Sequence, residues 1–108
     1  MNKKTIEIAK DFTPFPAGRY EKDGPYTGEG FRKRILVPAL KQYDSVEIIL
    51  DGTIGYGSSF LEESFGGLIR EEGFSYEEIN NKLILISKRK SILKSIENYI
   101  YNSSLEKK

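Results

Sequence analysis

The chain has 108 residues, 17 of them basic and 16 acidic, and it contains neither cysteine nor histidine. This length suits a single domain over residues 1–108, and a net charge of +1 argues against general binding to nucleic acid or to an anionic membrane. The missing residue types exclude disulfides, thiolate nucleophiles, imidazole catalysis, and thiolate or imidazole metal sites. We therefore expect no metal and no cofactor.

The first half of the chain predicts a strand, a loop and a helix. In KTIEIAKDF, isoleucines at alternate positions indicate a half-buried strand. The next stretch, TPFPAGRYEKDGPYTGEG, holds three of the four prolines and predicts a loop, with an edge strand around Arg19 to Lys22 as an option. From Glu29 an apolar stripe predicts a helix, which Pro38 should kink or split.

The second half predicts two further strands and the helices around them. SVEIILD is typical of a central strand covered on both faces, and FLEESFGGLI has helical spacing. The serine and glutamate of SYEE form a capping-box pair that predicts a short helix, with a hairpin turn at Asn80 and Asn81 as the weaker alternative. KLILISK then predicts a strand, the apolar residues of SILKSIENYI predict a closing helix, and residues 102–108 are expected to form a frayed tail.

This alternation of strands and helices is typical of an α/β fold. Parallel neighbours need helical crossovers, so we expect a mixed, mainly parallel sheet of about four strands with helices packed against it. The longest aliphatic run is LILI, too short for a signal peptide or a membrane span, so we expect a soluble, cytoplasmic protein.

Glycine is densest between the central strand and the next helix, in DGTIGYGSSFLEESFGGLIR, residues 51–70. We call residues 52–65 the junction, which should lie at the carboxyl end of the strand, where such sheets bind ligands. Ser59 and Glu62 have capping-box spacing, which explains one serine but not Ser58. Gly66 and Gly67 predict a close approach of this helix to the sheet.

Several charged residues have both an ordinary and a functional interpretation. Arg19 is either a solvated arginine, the commoner case, or a clamp for a phosphate or a partner carboxylate at Ser58. The two basic runs, Arg32 to Arg34 and Lys88 to Lys90, are interpreted as solvated surfaces. Asp51 and the nearby Glu47 are too few for a magnesium or acid–base site, and Asp51 is read as a turn residue bonded to its own loop.

Three apolar residues of the junction also have two interpretations. Ile54, Tyr56 and Phe60 would form an exposed apolar rim suited to a partner protein, or they would pack into the core.

These residues resemble a known family. The strand, loop and helix of EIILDGTIGYGSSFLEE are similar to the STAS fold of anti-sigma factor antagonists, with Gly52 at the turn glycine and Ser58 and Ser59 at the hydroxyl pair, one of which is phosphorylated in that family. Gly57 and Phe60 stand where the antagonists have aspartate and glycine. Across nearly the whole chain, GR at residues 18–19, GEGFR, LVPAL and GYGSSFLEESFGGLIR resemble the STAS-like bacterial domains of unknown function.

The resemblance implies association with histidine-kinase-like ATPases. We therefore expect a non-enzymatic, regulatory protein-interaction module that docks on such an ATPase through the junction. Phosphorylation of Ser58, or less readily Ser59, would switch the docking. The candidate partner-binding residues are Gly55, Tyr56, Gly57, Phe60, Glu62 and Arg19.

Two other functions stay open. The first is binding of a nucleotide or another small anion at the helix N-terminus, at Ser58 and Ser59. The second, and the weakest, is nucleic-acid binding through the two basic runs.

Overall fold

A computed structural model describes residues 2–106 of the protein. In this part of the chain the sheet has three strands in the order β1 (Lys3–Glu7), β2 (Ser45–Ile49) and β3 (Leu83–Ile86). Both pairs are parallel, with Ile6 beside Ile48 and Ile48 beside Leu85. The α/β fold is confirmed, but the prediction of a mixed sheet of about four strands is wrong.

The optional strand around Arg19 does not form. Glu21–Asp23 is a single 3-10 turn instead. The loop hydrogen-bonds to itself, since Ala17 N–H donates to the Tyr26 carbonyl and Gly28 N–H donates to the Gly18 carbonyl. Gly18 has φ +93°, a left-handed conformation that turns the chain away from an extended path. These local bonds satisfy backbone groups that a sheet edge would otherwise pair.

Helix α1, residues 28–42, begins after Thr27, whose Oγ1 accepts from Gly30 N–H. It consists of Gly28–Phe31, a π-helical turn at Arg32–Leu36, and Val37–Gln42. The sequence predicts that Pro38 either kinks or splits this helix, and the split does not occur. The π turn comes directly before the proline, and Val37 N–H donates to the Arg32 carbonyl five residues back. The wider turn accommodates Pro38, which has no backbone N–H to donate, so the helix continues past it.

Three more helices follow α1, and a separate π-helical turn, Ile8–Phe12, comes directly after β1, where the sequence predicts a longer strand. Helix α2, residues 58–70, consists of Ser58–Leu61, a π-helical turn at Glu62–Gly66, and Gly67–Arg70. Helix α3 is Tyr76–Lys82 and helix α4 is Lys90–Glu106.

The capping box before α3 is confirmed, because Ser75 Oγ accepts from Glu78 N–H and Glu78 Oε1 accepts from Ser75 N–H. Asn80 and Asn81 lie inside α3, which excludes the hairpin. The predicted frayed tail also differs, because α4 continues through residues 102–106 and buries Ser103. Residues 107 and 108 of that prediction lie outside the described residues.

All four helices contribute to one core on one face of the sheet. Val46 and Ile48 of β2 are fully buried, whereas the alternate residues Ser45, Glu47 and Ile49 are only half-buried. β2 is central, as predicted, but the expectation that both of its faces are covered is wrong. A progressive strand order with crossovers of one hand keeps every crossover helix on the same side of the sheet. The core includes Ile6, Phe31, Leu40, Phe60, Phe65, Leu68, Ile79, Ile96 and Ile100.

Candidate functional site

The junction lies at the carboxyl end of β2 and leads into α2, as the sequence predicts. Gly52 and Gly55 have φ +104° and +144°, conformations that side chains disfavour. Ile54 N–H donates to the Pro14 carbonyl at 3.0 Å, which ties the junction to the long loop after β1. The glycines therefore shape the turn that carries the chain into α2.

The two serines are exposed on the first turn of α2. Gly57 is the N-cap residue, with φ −76°, and no side chain caps the helix. The predicted capping box between Ser59 and Glu62 is therefore wrong, because the helix begins at Ser58 and places Ser59 within its first turn. Neither serine hydroxyl has a hydrogen-bond partner among residues 2–106.

The apolar residues of the junction divide between core and surface. Phe60 is completely buried, so of its two interpretations the core one is confirmed and its side chain is not part of an exposed rim. Its ring packs 5.9 Å from that of Tyr56 and 6.3 Å from that of Phe12, centroid to centroid. Tyr56 is half-buried and donates to the Leu50 carbonyl at 2.5 Å, and burial raises the pKa of its hydroxyl. Ile54 alone is strongly exposed, at 78%.

The guanidinium of Arg19 does not lie free in solvent, because it forms ion pairs with two glutamates of α2. Its Nη1 donates to Glu62 Oε1 at 2.5 Å and to Glu63 Oε1 at 3.1 Å. Glu62 also accepts from Arg70 Nη1 at 2.6 Å. The structure thus brings two candidate residues, Arg19 and Glu62, into one ion pair a helical turn beyond the serines. Neither interpretation of Arg19 predicts this contact, because one leaves the side chain in solvent and the other reserves it for a phosphate or a partner carboxylate.

Sequence reasoning missed Arg32, which was interpreted as part of a solvated basic run. Its side chain is 2% exposed. Nη1 donates to both the carboxylate and the carbonyl of Glu63 at 2.7 Å, and Nε donates to Glu72 at 2.9 Å. We call Arg19, Arg32, Arg70, Glu62, Glu63 and Glu72 the arginine–glutamate cluster. Its three positive and three negative charges balance, which permits such deep burial.

The paired glycines of α2 could have signalled this cluster. We predicted that they bring the helix close to the sheet, and that prediction is wrong. A Cβ on Gly67 would collide with the Arg32 guanidinium, and one on Gly66 would lie 2.7 Å from Ser103 Oγ of α4. Similarly, a Cβ on Gly28 would lie 2.5 Å from the Phe60 carbonyl. These glycines let α1 and α4 pack against α2.

The cluster controls the ionisation of Glu62. Burial alone would raise the pKa of this carboxyl, but hydrogen bonds from Arg70 and Arg19 outweigh it and hold the pKa below the ordinary value of 4.5. Glu62 is therefore an anion at neutral pH, and it is neutralised locally by two arginines.

The acidic residues outside the cluster have separate structural roles. Asp51 accepts from Ser87 Oγ at 2.9 Å and from Lys88 N–H at 2.9 Å, so it fastens the turn after β3 and not its own loop. Glu47 pairs with Lys3 on the open face of the sheet. Among residues 2–106, no group of three or more carboxylates could hold a metal ion. None of the helices in that range has both the length and the apolar content needed to span a membrane.

The residues that carry the resemblance now fall into two groups. Gly28, Arg32, Glu63 and Gly67 have internal roles, because they let α1 and α2 pack and pair. The exposed hydroxyl pair of GYGSSFLEESFGGLIR has no partner in the described chain and remains accessible.

Comparison with known families agrees with this fold. The model of the STAS-like domain of unknown function (DUF4325) matches residues 27–93, from the N-cap of α1 to the first turn of α4. Comparison with curated proteins and with solved structures gives no match. The family model covers more than half of the chain, and the chain therefore belongs to the family of STAS-like domains of unknown function.

Proposed function

We propose that this domain is a non-enzymatic regulatory module whose junction docks on a protein partner. The observation that carries the proposal is the exposure of Ser58 and Ser59 at an uncapped helix start, within the stretch that the family model matches. Exposed loop residues held by a rigid scaffold are where binding functions concentrate. Because packing explains Gly66, Gly67 and the charged residues of α2 but not these hydroxyls, contact with a partner is the simplest role for them.

The proposed contact surface consists of Ile54, Gly55, Gly57 and the two serines. Ile54 supplies an exposed apolar anchor, and the glycines allow a partner to approach the backbone closely. Phe60 lies beneath this surface and supports it. The ion pair between Glu62 and Arg19 lies a helical turn beyond the serines.

The proposed partner is a histidine-kinase-like ATPase, and the proposed switch is phosphorylation of Ser58 or, less readily, Ser59. Such a partner would act in the cytoplasm, where it has ATP. A phosphoserine carries close to two negative charges, which the N-terminus of a helix accommodates. The arginine–glutamate cluster one turn away is already balanced, so the added charge is not neutralised there. Phosphorylation should therefore weaken docking by repulsion and by the cost of desolvation.

A reconstitution experiment tests docking and switching separately. The full chain is incubated with the histidine-kinase-like ATPase encoded nearest to it, with and without ATP, and binding is measured by calorimetry while mass spectrometry locates phosphate. We expect Ile54→Asp to weaken binding at least tenfold. Combined Ser58→Ala and Ser59→Ala should preserve binding and abolish phosphate incorporation.

Ser91→Ala is the matched control, because Ser91 is also an exposed serine in the first turn of a helix. It should change neither result. Phosphate found only outside the junction would remove the switch, and undiminished binding by Ile54→Asp would remove the docking surface.

Binding of a small anion is the second candidate, and the uncapped first turn of α2 favours it. Titration of the labelled protein with phosphate and with ATP, followed by amide chemical shifts, distinguishes the two. Saturable shifts confined to Gly57, Ser58 and Ser59 would favour the anion, and their absence would favour the protein partner.

A further inference from the structure

Strand β3 is an apolar edge of the sheet. Within residues 2–106 it pairs with β2 alone. Its sequence, Leu83–Ile86, is LILI, and all four residues are at least partly exposed, with Ile84 at 42% and Ile86 at 38%. Edge strands usually carry a charge, a proline or a bulge that prevents further pairing. β3 has no proline and no charged residue, so its edge is open to an added strand.

The backbone of β3 presents hydrogen-bonding groups at this edge. The Ile86 carbonyl accepts from Leu50 N–H, on the β2 side. Because successive residues of a strand direct their backbone groups to opposite sides, Leu83 and Leu85 direct theirs away from β2. An added strand would form backbone hydrogen bonds with Leu83 and Leu85. Those of its residues that pair with Leu83 and Leu85 would direct their side chains toward the helices.

A cavity of about 130 Å³ lies on that side of the edge. It is lined by five aliphatic residues, Ile79, Leu83, Leu85, Leu93 and Ile100, and by three polar ones, Tyr76, Asn80 and Glu97. A cavity of about this volume has room for one benzene-sized group, so a single aliphatic side chain fits here against the five aliphatic residues. Strand addition is recognised in this way, with the backbone supplying affinity and a pocket selecting alternate side chains.

The charges near the edge indicate what kind of strand fits. The side chains of Lys88, Arg89 and Lys90, which follow β3 after Ser87, are exposed and form no ion pair within the described part of the chain. The Asp51 carboxylate accepts from the backbone N–H of Lys88 and not from its side chain. An acidic residue at that end of an added strand would neutralise them. A second copy of this chain is a poor match, because residues 79–93 contain no aspartate or glutamate and self-pairing would leave the cations uncompensated.

We propose that the β3 edge binds an extended protein segment with aliphatic side chains at alternate positions and acidic residues beside Lys88, Arg89 and Lys90. One aliphatic side chain enters the cavity, and the backbone bonds to Leu83 and Leu85. This site is separate from the junction and independent of the function proposed there.

Synthetic peptides test the proposal on the full chain. The probe is a fluorescein-labelled nonapeptide with leucine at its third, fifth and seventh positions, threonine between them and two aspartates at each end. One control peptide has lysines in place of the aspartates, and another has proline as its central residue. By fluorescence anisotropy, we expect the aspartate peptide to bind at least tenfold more tightly than either control. Amide shifts should concentrate at residues 83–90.

A charge reversal in the protein completes the test. The triple variant Lys88→Glu, Arg89→Glu, Lys90→Glu should reverse the preference, so that the lysine peptide binds at least tenfold more tightly than the aspartate peptide. The matched control reverses three exposed lysines elsewhere, Lys4, Lys10 and Lys41, and should keep the original preference.

Three results would overturn the proposal. They are equal binding of the aspartate and lysine peptides, peptide-induced shifts that lie away from β3, and self-association of the free protein in sedimentation that Ile84→Lys abolishes. The last would make a second copy the natural occupant of the edge.

Discussion

Arg32 is the residue on which the packing of α1 against α2 most depends. Its guanidinium is nearly inaccessible to water, and it contacts Glu63 through both the side chain and the backbone. Glu63 is itself only 5% exposed. Within the described chain every buried side-chain polar atom has a partner. Removing one member of such a set leaves an uncompensated charge, which costs more than the pair contributes.

We therefore expect Arg32→Met to lower the free energy of unfolding by about 3–5 kcal/mol, measured by urea denaturation. Lys33→Met is the matched control. Lys33 pairs with Glu29 on the surface, and its loss should lower the free energy of unfolding far less than the loss of Arg32 does. Adding Glu63→Met to Arg32→Met should recover part of the loss. An Arg32→Met protein as stable as the control would show that the cluster is not critical.

The ionisation of Glu62 predicts a loss of stability in acid. Its pKa is lower in the folded protein than the ordinary value of 4.5, so the unfolded chain takes up the proton more readily. The stabilisation is thus complete above the unfolded pKa and is lost as the pH falls through the folded pKa. Urea midpoints should decrease below about pH 5, and less steeply in Glu62→Gln. Glu77→Gln, at an exposed carboxylate that forms no ion pair within residues 2–106, should retain the full slope.

Two helices show how tertiary contacts select between equivalent local motifs. Ser59 with Glu62 and Ser75 with Glu78 have the same spacing, yet only the second pair forms a capping box. At the first, the chain becomes helical after Gly57, and Arg19 and Arg70 bind the Glu62 carboxylate. Two charge-assisted bonds outweigh one reciprocal cap.

We expect Ser75→Ala to destabilise the protein by about 1 kcal/mol, because it removes a cap. Ser59→Ala should change stability by less than about 0.5 kcal/mol, as is usual for exposed positions without a specific contact. Chemical denaturation of the two variants under one condition makes the comparison. Equal losses would mean that Ser59 does cap α2.

The π-helical turns of α1 and α2 are a second feature at this scale. They span Arg32–Leu36 and Glu62–Gly66, so Arg32 and Glu63, which pair across the helix interface, each lie at or near the start of one. A π turn redirects side chains relative to a regular helix. Apolar periodicity predicts both helices but not the wider turns, of which that of α1 accommodates Pro38.

At the scale of the whole molecule, the sheet has one covered face and one open face. Ile48 of β2 is fully buried under the helices, whereas Ile84 on the open face of β3 is 42% exposed. Parallel sheets are normally covered on both faces. The three-stranded sheet thus leaves apolar side chains accessible on the face opposite helices α1 to α4.

This difference predicts unequal effects of one substitution. Ile48→Ala should lower the free energy of unfolding by about 2–5 kcal/mol, because it leaves a cavity in the core. Ile84→Ala should cost about 1 kcal/mol or less, because surface positions rarely contribute more. Thermal unfolding followed by calorimetry compares them. A similar large loss at Ile84 would mean that the open face is covered in solution.

The sequence by itself determined the α/β class, the existence of helices α1 to α4, and the position of the junction. These follow from apolar periodicity and from glycine placement, which act over a few residues. Tertiary structure alone decided that Phe60 is buried, that the sheet stops at three strands, and that Arg32 pairs with Glu63 across 31 positions. A charged side chain in a polar run looks solvated in any local window. Only the packing of distant helices removes it from water and supplies the opposite charge that makes its burial stable.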